Sequence, residues 1–159
     1  MKSRIVLTAG AAFLLGAVAA AGIIYSMAPG VMINERTSPL SQEETVERIV
    51  ASAEDMGWKV PEIHQIHNSV SNGGYDVLPV TVIELCKVDL AGNILSRDEN
   101  RVVSSMMPCR VAVYENSDGD VIISRMNTGL MSSMFGGDVE RIMAQATEET
   151  ERIIATVDI

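Results

Sequence analysis

Residues 5–28 form a stretch without a single Asp, Glu, Lys or Arg, and nothing else constrains the chain as much. A helix rising about 1.5 Å per residue needs about 20 apolar residues to cross a hydrocarbon core of ~30 Å. This run has 24. Lys2 and Arg4 precede it, and no basic residue follows until Arg36. That asymmetry puts the N-terminus in the cytoplasm and predicts a single-pass anchor in the inner membrane, with the rest of the chain facing the periplasm or cell exterior. The rival reading is a cleaved signal peptide, because Ala19-Ala20-Ala21-Gly22 offers small residues to a peptidase, and cleavage would make the remainder secreted. Ile23, Ile24 and Tyr25 carry the apolar stretch past that point and favour the anchor.

The other residues bound the function classes. The whole chain of 159 residues carries 12 Lys and Arg against 21 Asp and Glu, a net charge of −9; beyond Lys2 and Arg4 the balance is −11. Phosphate binding needs clustered cations, so a nucleic-acid partner is not expected. Nor should the domain adhere to anionic lipid through a basic patch. Residues 29–40, punctuated by Pro29, Gly30, Asn34 and Ser38, read as a linker. The exported domain is then expected over residues 41–157. Ser41-Gln-Glu-Glu44 is a capping box opening a helix with Val46, Ile49, Val50 and Ala53 at helical spacing, ended by Gly57. Trp58 follows as a core anchor. Residues 59–70 are ambiguous between strand and short helix. LPVTVIELC, Leu78 to Cys86, suits a strand buried on both faces. Residues 90–95 suit a short helix. CRVAVYE, Cys109 to Glu115, and VIISR, Val121 to Arg125, flank Asn116-Ser-Asp-Gly119 as an antiparallel hairpin. Residues 128–134 suit one or two helical turns. A long amphipathic helix follows, with Asp138 as N-cap. The fold class expected is α+β: one domain with a mixed, largely antiparallel sheet covered by helices.

Two cysteines and an abundance of methionine are the chemically suggestive features. With a period of two, Val80, Val82, Glu84 and Cys86 share one face of their strand, and Cys109, Val111, Val113 and Glu115 share one face of theirs. If the strands are neighbours in register, the sulfurs approach each other. A disulfide between Cys86 and Cys109 would be worth about 3 kcal/mol in the chain-entropy model; two buried thiols, or a reactive or ligating pair, are the alternatives. Thiolate and thioether donors select Cu(I) over hard ions. Cys86, Cys109, Met126, Met131 and Met134 therefore form a candidate soft-metal set, although methionine also fills cores and contact surfaces. Glu84, a carboxylate in an apolar strand, needs a partner, and Arg110 beside Cys109 is the expected counter-ion. His64 and His67 share a face only if helical, and their spacing to the cysteines does not match a structural zinc site. Asn116 to Asp120 lacks the glycine and the distal acid of a calcium loop and reads as a turn.

With these residues laid out, LPVTVIELC (78–86), MPCRVAVYE (107–115), Asp118-Gly119 with VIIS (121–124) and Arg125-Met-Asn127 resemble the bacterial and archaeal family called domain of unknown function three-hundred-and-two. The resemblance spans about Ser41 to Val157, and the chain fits a subset with an N-terminal membrane segment. It implies an α+β domain prone to dimerise, and no reaction. The function expected is a membrane-tethered periplasmic binding or interaction domain, not an enzyme, which forms a homodimer through its C-terminal helix and Met-rich turn. Cys86, Cys109, Glu84 and Arg110 are its proposed centre, for a soft metal such as copper or a sulfur ligand. A thiol-handling redox enzyme is the alternative, with Cys109 as nucleophile, Cys86 as resolving thiol and Glu84 as base. A purely structural dimerisation domain is the third reading.

Overall fold

A computed structural model describes residues 15–23, 25–26 and 30–158. The chain divides into two units, Met1–Met32 and Ile33–Ile159. In the first, residues 15–23 and 25–26 are helical. Residues 5–14, 24, 27 and 28 of the expected membrane span lie outside the described residues. Among the described residues, no helix is long and apolar enough to cross a membrane.

The second unit runs β1 (Ile33–Ser38), α1 (Gln42–Asp55), β2 (Ile63–Gln65), α2 (Ile66–Asn72), β3 (Val80–Leu85) and α3 (Val88–Leu95). A 3-10 helix (Asp98–Met106), β4 (Cys109–Glu115), β5 (Val121–Met126), α4 (Thr128–Ser132), α5 (Gly137–Ala155) and a last 3-10 turn (Thr156–Asp158) complete it. The five strands form one sheet in the order β1-β5-β4-β3-β2. Every pairing is antiparallel, so the mixed sheet expected from sequence is not what forms. The connection through α3 and the 3-10 helix returns β4 alongside β3 in the opposite sense, so no parallel crossover arises.

The expected linker over residues 29–40 contains β1, which pairs with the full length of β5 from Ile33↔Met126 to Ser38↔Val121. Local polarity argued for a tether, but the open backbone edge of β5 supplies hydrogen-bond partners that polarity does not register. The strand expected to be buried on both faces is buried on one. Thr81, Ile83 and Leu85 are covered, whereas Val80, Val82 and Glu84 remain partly exposed. Ile49 and Ala53 of α1 and Ile153 and Ile154 of α5 form a single apolar core with Ile83, Leu85, Val111, Val113 and Ile123 from the covered face.

The ends of α1 follow the sequence pattern. Ser41 Oγ accepts from the Glu44 amide at 3.3 Å, and Glu44 Oε2 accepts from the Ser41 amide at 3.1 Å. Ser41→Ala should therefore lower the unfolding free energy by about 1 kcal/mol, read by thermal or denaturant unfolding. Gly57 stands at φ +73°, and Trp58, only 2% exposed, enters the core directly after it. At α5 the cap is Gly136 rather than Asp138. Gly136 and Gly137 both take positive φ, which glycine adopts without strain, and Asp138 falls inside the first turn, where it pairs with Arg97 and Arg141. Val139, Ile142, Met143, Ile153 and Ile154 of α5 are buried against this same chain. The apolar face of the helix, expected to mediate association, is thus already used by the fold.

Candidate functional site

Cys109 faces Leu85, not Cys86, across the β3–β4 ladder. This one-residue offset separates the two faces that sequence periodicity aligned, because side chains alternate sides along a strand. Val82 and Glu84 look out from the uncovered face, while Val111 and Val113 beyond Cys109 lie in the core. Both cysteines nevertheless line the same cavity. Cys86 lies one residue past β3, held by a bridge in which Lys59 N donates to Cys86 O at 2.8 Å and Cys86 N donates to Lys59 O at 2.9 Å. Both cysteines are half-buried free thiols lining one cavity of about 40 Å³. Burial first, and then the neighbouring Cys86, pushes the Cys109 thiol above the ordinary range.

The cavity lies where two apolar clusters join imperfectly. Trp58, Leu85 and Cys109 belong to or pack on the main core, whereas Ile94, Ile142 and Met143, with Met106 and Met107 against them, form a second cluster. The sulfur-bearing residues that line the space are Cys86, Cys109, Met106, Met107 and Met143. Its volume is several times what one water needs, and suits an ion or a few small atoms better than a bulky organic molecule. Of the methionines expected here, Met126 lines a neighbouring groove of about 110 Å³ that also touches Cys109. Half-buried Met131 and exposed Met134 line neither space. Met131 and Met134 lie in α4 and the turn after it, beyond the end of β5. Met106 and Met107, which directly precede Pro108 and Cys109 in sequence, line the cavity. Met143 was legible only as a core position of the last helix.

Glu84 and Arg110 are partners, as expected: Arg110 Nε lies 3.5 Å from Glu84 Oε1, and the two residues are directly opposed across β3 and β4. His64 Nε2, from β2, is 3.3 Å from the same oxygen. The three form a cross-strand ladder on the uncovered face, and neither Glu84 nor Arg110 lines the apolar cavity. His67 sits elsewhere, with Nδ1 2.9 Å from the Val80 carbonyl oxygen and 3.1 Å from its amide, which fixes α2 to the start of β3. Among the described residues no three of His, Cys, Asp and Glu converge as a metal-ion cluster. Asn116 closes the β4–β5 turn by accepting from the amides of Asp118 and Asp120 at 3.0 and 2.8 Å.

Sequence reasoning missed Glu149. From α5 this buried carboxylate accepts from Trp58 Nε1 at 2.9 Å and from Gln145 Nε2 at 3.0 Å, and Lys87 Nζ lies 3.5 Å away. Lys87 Nζ also donates to the Met56 carbonyl oxygen at 2.5 Å. Burial pushes the Glu149 carboxyl up, but the Gln145 and Trp58 hydrogen bonds and the Lys87 charge outweigh it and hold the group below its ordinary value. Trp58 and Lys87 both line the cysteine cavity, so this network sets the position of one wall.

The model of the family described as "Domain of unknown function DUF302" matches residues 34–157. The crystal structure of an uncharacterized conserved protein of that family from Bacillus stearothermophilus superposes with a TM-score of 0.71 at 20% sequence identity, covering 79% of this chain and 97% of that one. At that identity the likeness speaks for the fold. No curated protein matches the chain.

Proposed function

The chain belongs to the DUF302 family, and we propose that it is a membrane-tethered binding domain, held outside the cytoplasm, that takes up a soft monovalent metal ion such as Cu(I) between Cys86 and Cys109. One observation carries the reading: two free thiols and the side chains of Met106, Met107 and Met143 wall a single small, largely apolar cavity. Thiolate and thioether sulfur suit Cu(I), and a water-poor space disfavours hard, strongly hydrated ions. The tether is the uncharged run of residues 5–28, long enough to span and preceded by Lys2 and Arg4.

Uptake exchanges protons for the ion: two thiols and one Cu(I) give a bis-thiolate Cu(I) centre and two released protons, with no change of oxidation state. Because the Cys109 thiol is held above the ordinary range, its proton is retained at neutral pH and must be displaced by the metal. Affinity should therefore rise with pH until the Cys109 thiol ionises in the free protein. The same direction weighs against the thiol-enzyme reading, which needs a thiolate already present at neutral pH.

The test is an anaerobic Cu(I) titration of the full chain in detergent against a competing chelator, followed by counting of alkylatable thiols. One Cu(I) per chain, with both cysteines protected and affinity increasing between pH 6 and pH 8, is expected. Equal alkylation with and without Cu(I) would falsify the proposal. A disulfide that forms and reduces reversibly at mild potential would favour the redox alternative.

A further inference from the structure

The two-thiol cavity adjoins two grooves, and each shares with it one cysteine and one methionine. On one side Cys86 and Met107 also line a groove of about 380 Å³ bordered by Glu84 and Leu95. On the other, Cys109 and Met106 also line the groove of about 110 Å³ that holds Arg110 and Arg125. Glu84 and Cys86 fall on the same side of the chain, because side chains alternate along β3 and the Lys59 bridge carries the pairing past its end. The Glu84–Arg110 pair therefore lies between the grooves as a dipole. Its carboxylate borders the larger groove, and its guanidinium borders the smaller. Arg125 adds no net charge to the smaller groove, since Glu151 accepts from its Nε at 2.7 Å.

We infer that the ion enters as a small cationic complex through the groove bordered by Glu84, where Cys86 receives it, and that Cys109 completes the site from within. The inference rests on the Cu(I) reading above and adds its route and its carrier. A soft ion reaches a protein bound to other donors, and the two grooves differ in the room they give them. About 380 Å³ is the size of a small-molecule pocket, whereas about 110 Å³ is not. Charge points the same way: a carboxylate in a groove with low-dielectric walls raises the local concentration of cations, and a guanidinium lowers it. The larger groove has such walls in Ala91, Leu95 and Pro108. A complex in which two neutral donors hold Cu(I) carries one positive charge. At Cys86 a Cu–S bond forms, one donor leaves and the thiol proton passes to water. At Cys109 a second Cu–S bond forms, the other donor leaves and a second proton is released. Copper remains Cu(I) throughout.

The test labels single thiols of the full chain in detergent with two methanethiosulfonates of similar size, one bearing trimethylammonium and the other sulfonate. Cys109→Ser leaves Cys86 to report on its groove, and Cys86→Ser leaves Cys109. The ratio of the two rates at one thiol, taken relative to a free small thiol, cancels that thiol's own ionisation. Cys86 is expected to prefer the cationic reagent by about tenfold, and Cys109 to show no such preference. Glu84→Gln should remove most of the preference at Cys86. Leu95→Trp, which fills the same groove from a position 37% exposed, should slow both reagents at Cys86 several-fold and neither at Cys109. A cationic preference at Cys109 instead of Cys86, or labelling of Cys86 indifferent to either variant, overturns the route. The route and the binding reading fail separately. Protection of both thiols by Cu(I) without these preferences places the entry elsewhere and overturns the route alone. Protection of neither thiol removes the binding reading, and the route with it.

Discussion

Replacing Glu149 with alanine should lower the unfolding free energy by about 3 kcal/mol. The carboxylate satisfies two donors that have little access to water. Without it, the buried Trp58 indole N–H loses its acceptor and Lys87, whose side chain is 23% exposed, keeps a charge with no counter-ion beside it. Glu149→Gln should cost less, because an amide oxygen can still accept from Trp58. Comparing the two separates the hydrogen bond from the charge. The pH dependence has a definite sign. Since the folded carboxyl is held below its unfolded value, its stabilisation is complete above the ordinary carboxylate range and disappears as pH falls through the folded value. Denaturant unfolding of the native chain and Glu149→Gln should therefore differ most near neutrality and converge in acid. The indole emission of Trp58 should also shift in Glu149→Ala, since the same bond orients the ring that lines the cysteine cavity.

Glu149 also illustrates what was legible in the sequence. In the pattern of α5 it is one more acidic residue on a polar helix face. Its burial depends on Trp58, which is 91 residues distant and arrives beneath α5 only because Gly57 turns the chain after α1. Local signals were read correctly where local chemistry decides: the capping box at Ser41 and the hairpin around Asp118-Gly119. They misled where a distant partner decides. β1 looked like a linker because its hydrogen bonds go to β5, almost ninety residues later. The cysteine faces were mismatched because a one-residue register choice, invisible in either strand alone, reverses the side. Met131 and Met134 looked like donors because they share a helical spacing, yet neither lines the cysteine cavity, whereas Met106, Met107 and Met143 do.

That exchange of methionines yields the most discriminating functional prediction. Cys109→Ser should weaken Cu(I) binding by a factor of about a thousand or more, since it removes one of only two anionic sulfur donors. Cys86→Ser should do the same. Met106→Leu or Met143→Leu, which preserve volume and apolarity, should weaken binding by about tenfold each while leaving the fold intact. Met131→Leu and Met134→Leu should leave affinity unchanged, because neither side chain reaches the cavity. Chelator-competition titrations on the full chain would rank all six. The ranking matters more than any single value: a generic sulfur-rich surface would lose affinity at whichever methionine is removed, whereas a site built at the junction of the two apolar clusters responds only to its own walls. Stability gives an independent check on the thiol itself. With the folded Cys109 value raised, its contribution is full below the unfolded thiol value of ~8.5 and is lost as pH rises through the folded one. The native chain should accordingly lose stability above about pH 9 more steeply than Cys109→Ala, and bound Cu(I), by replacing the proton, should abolish that difference.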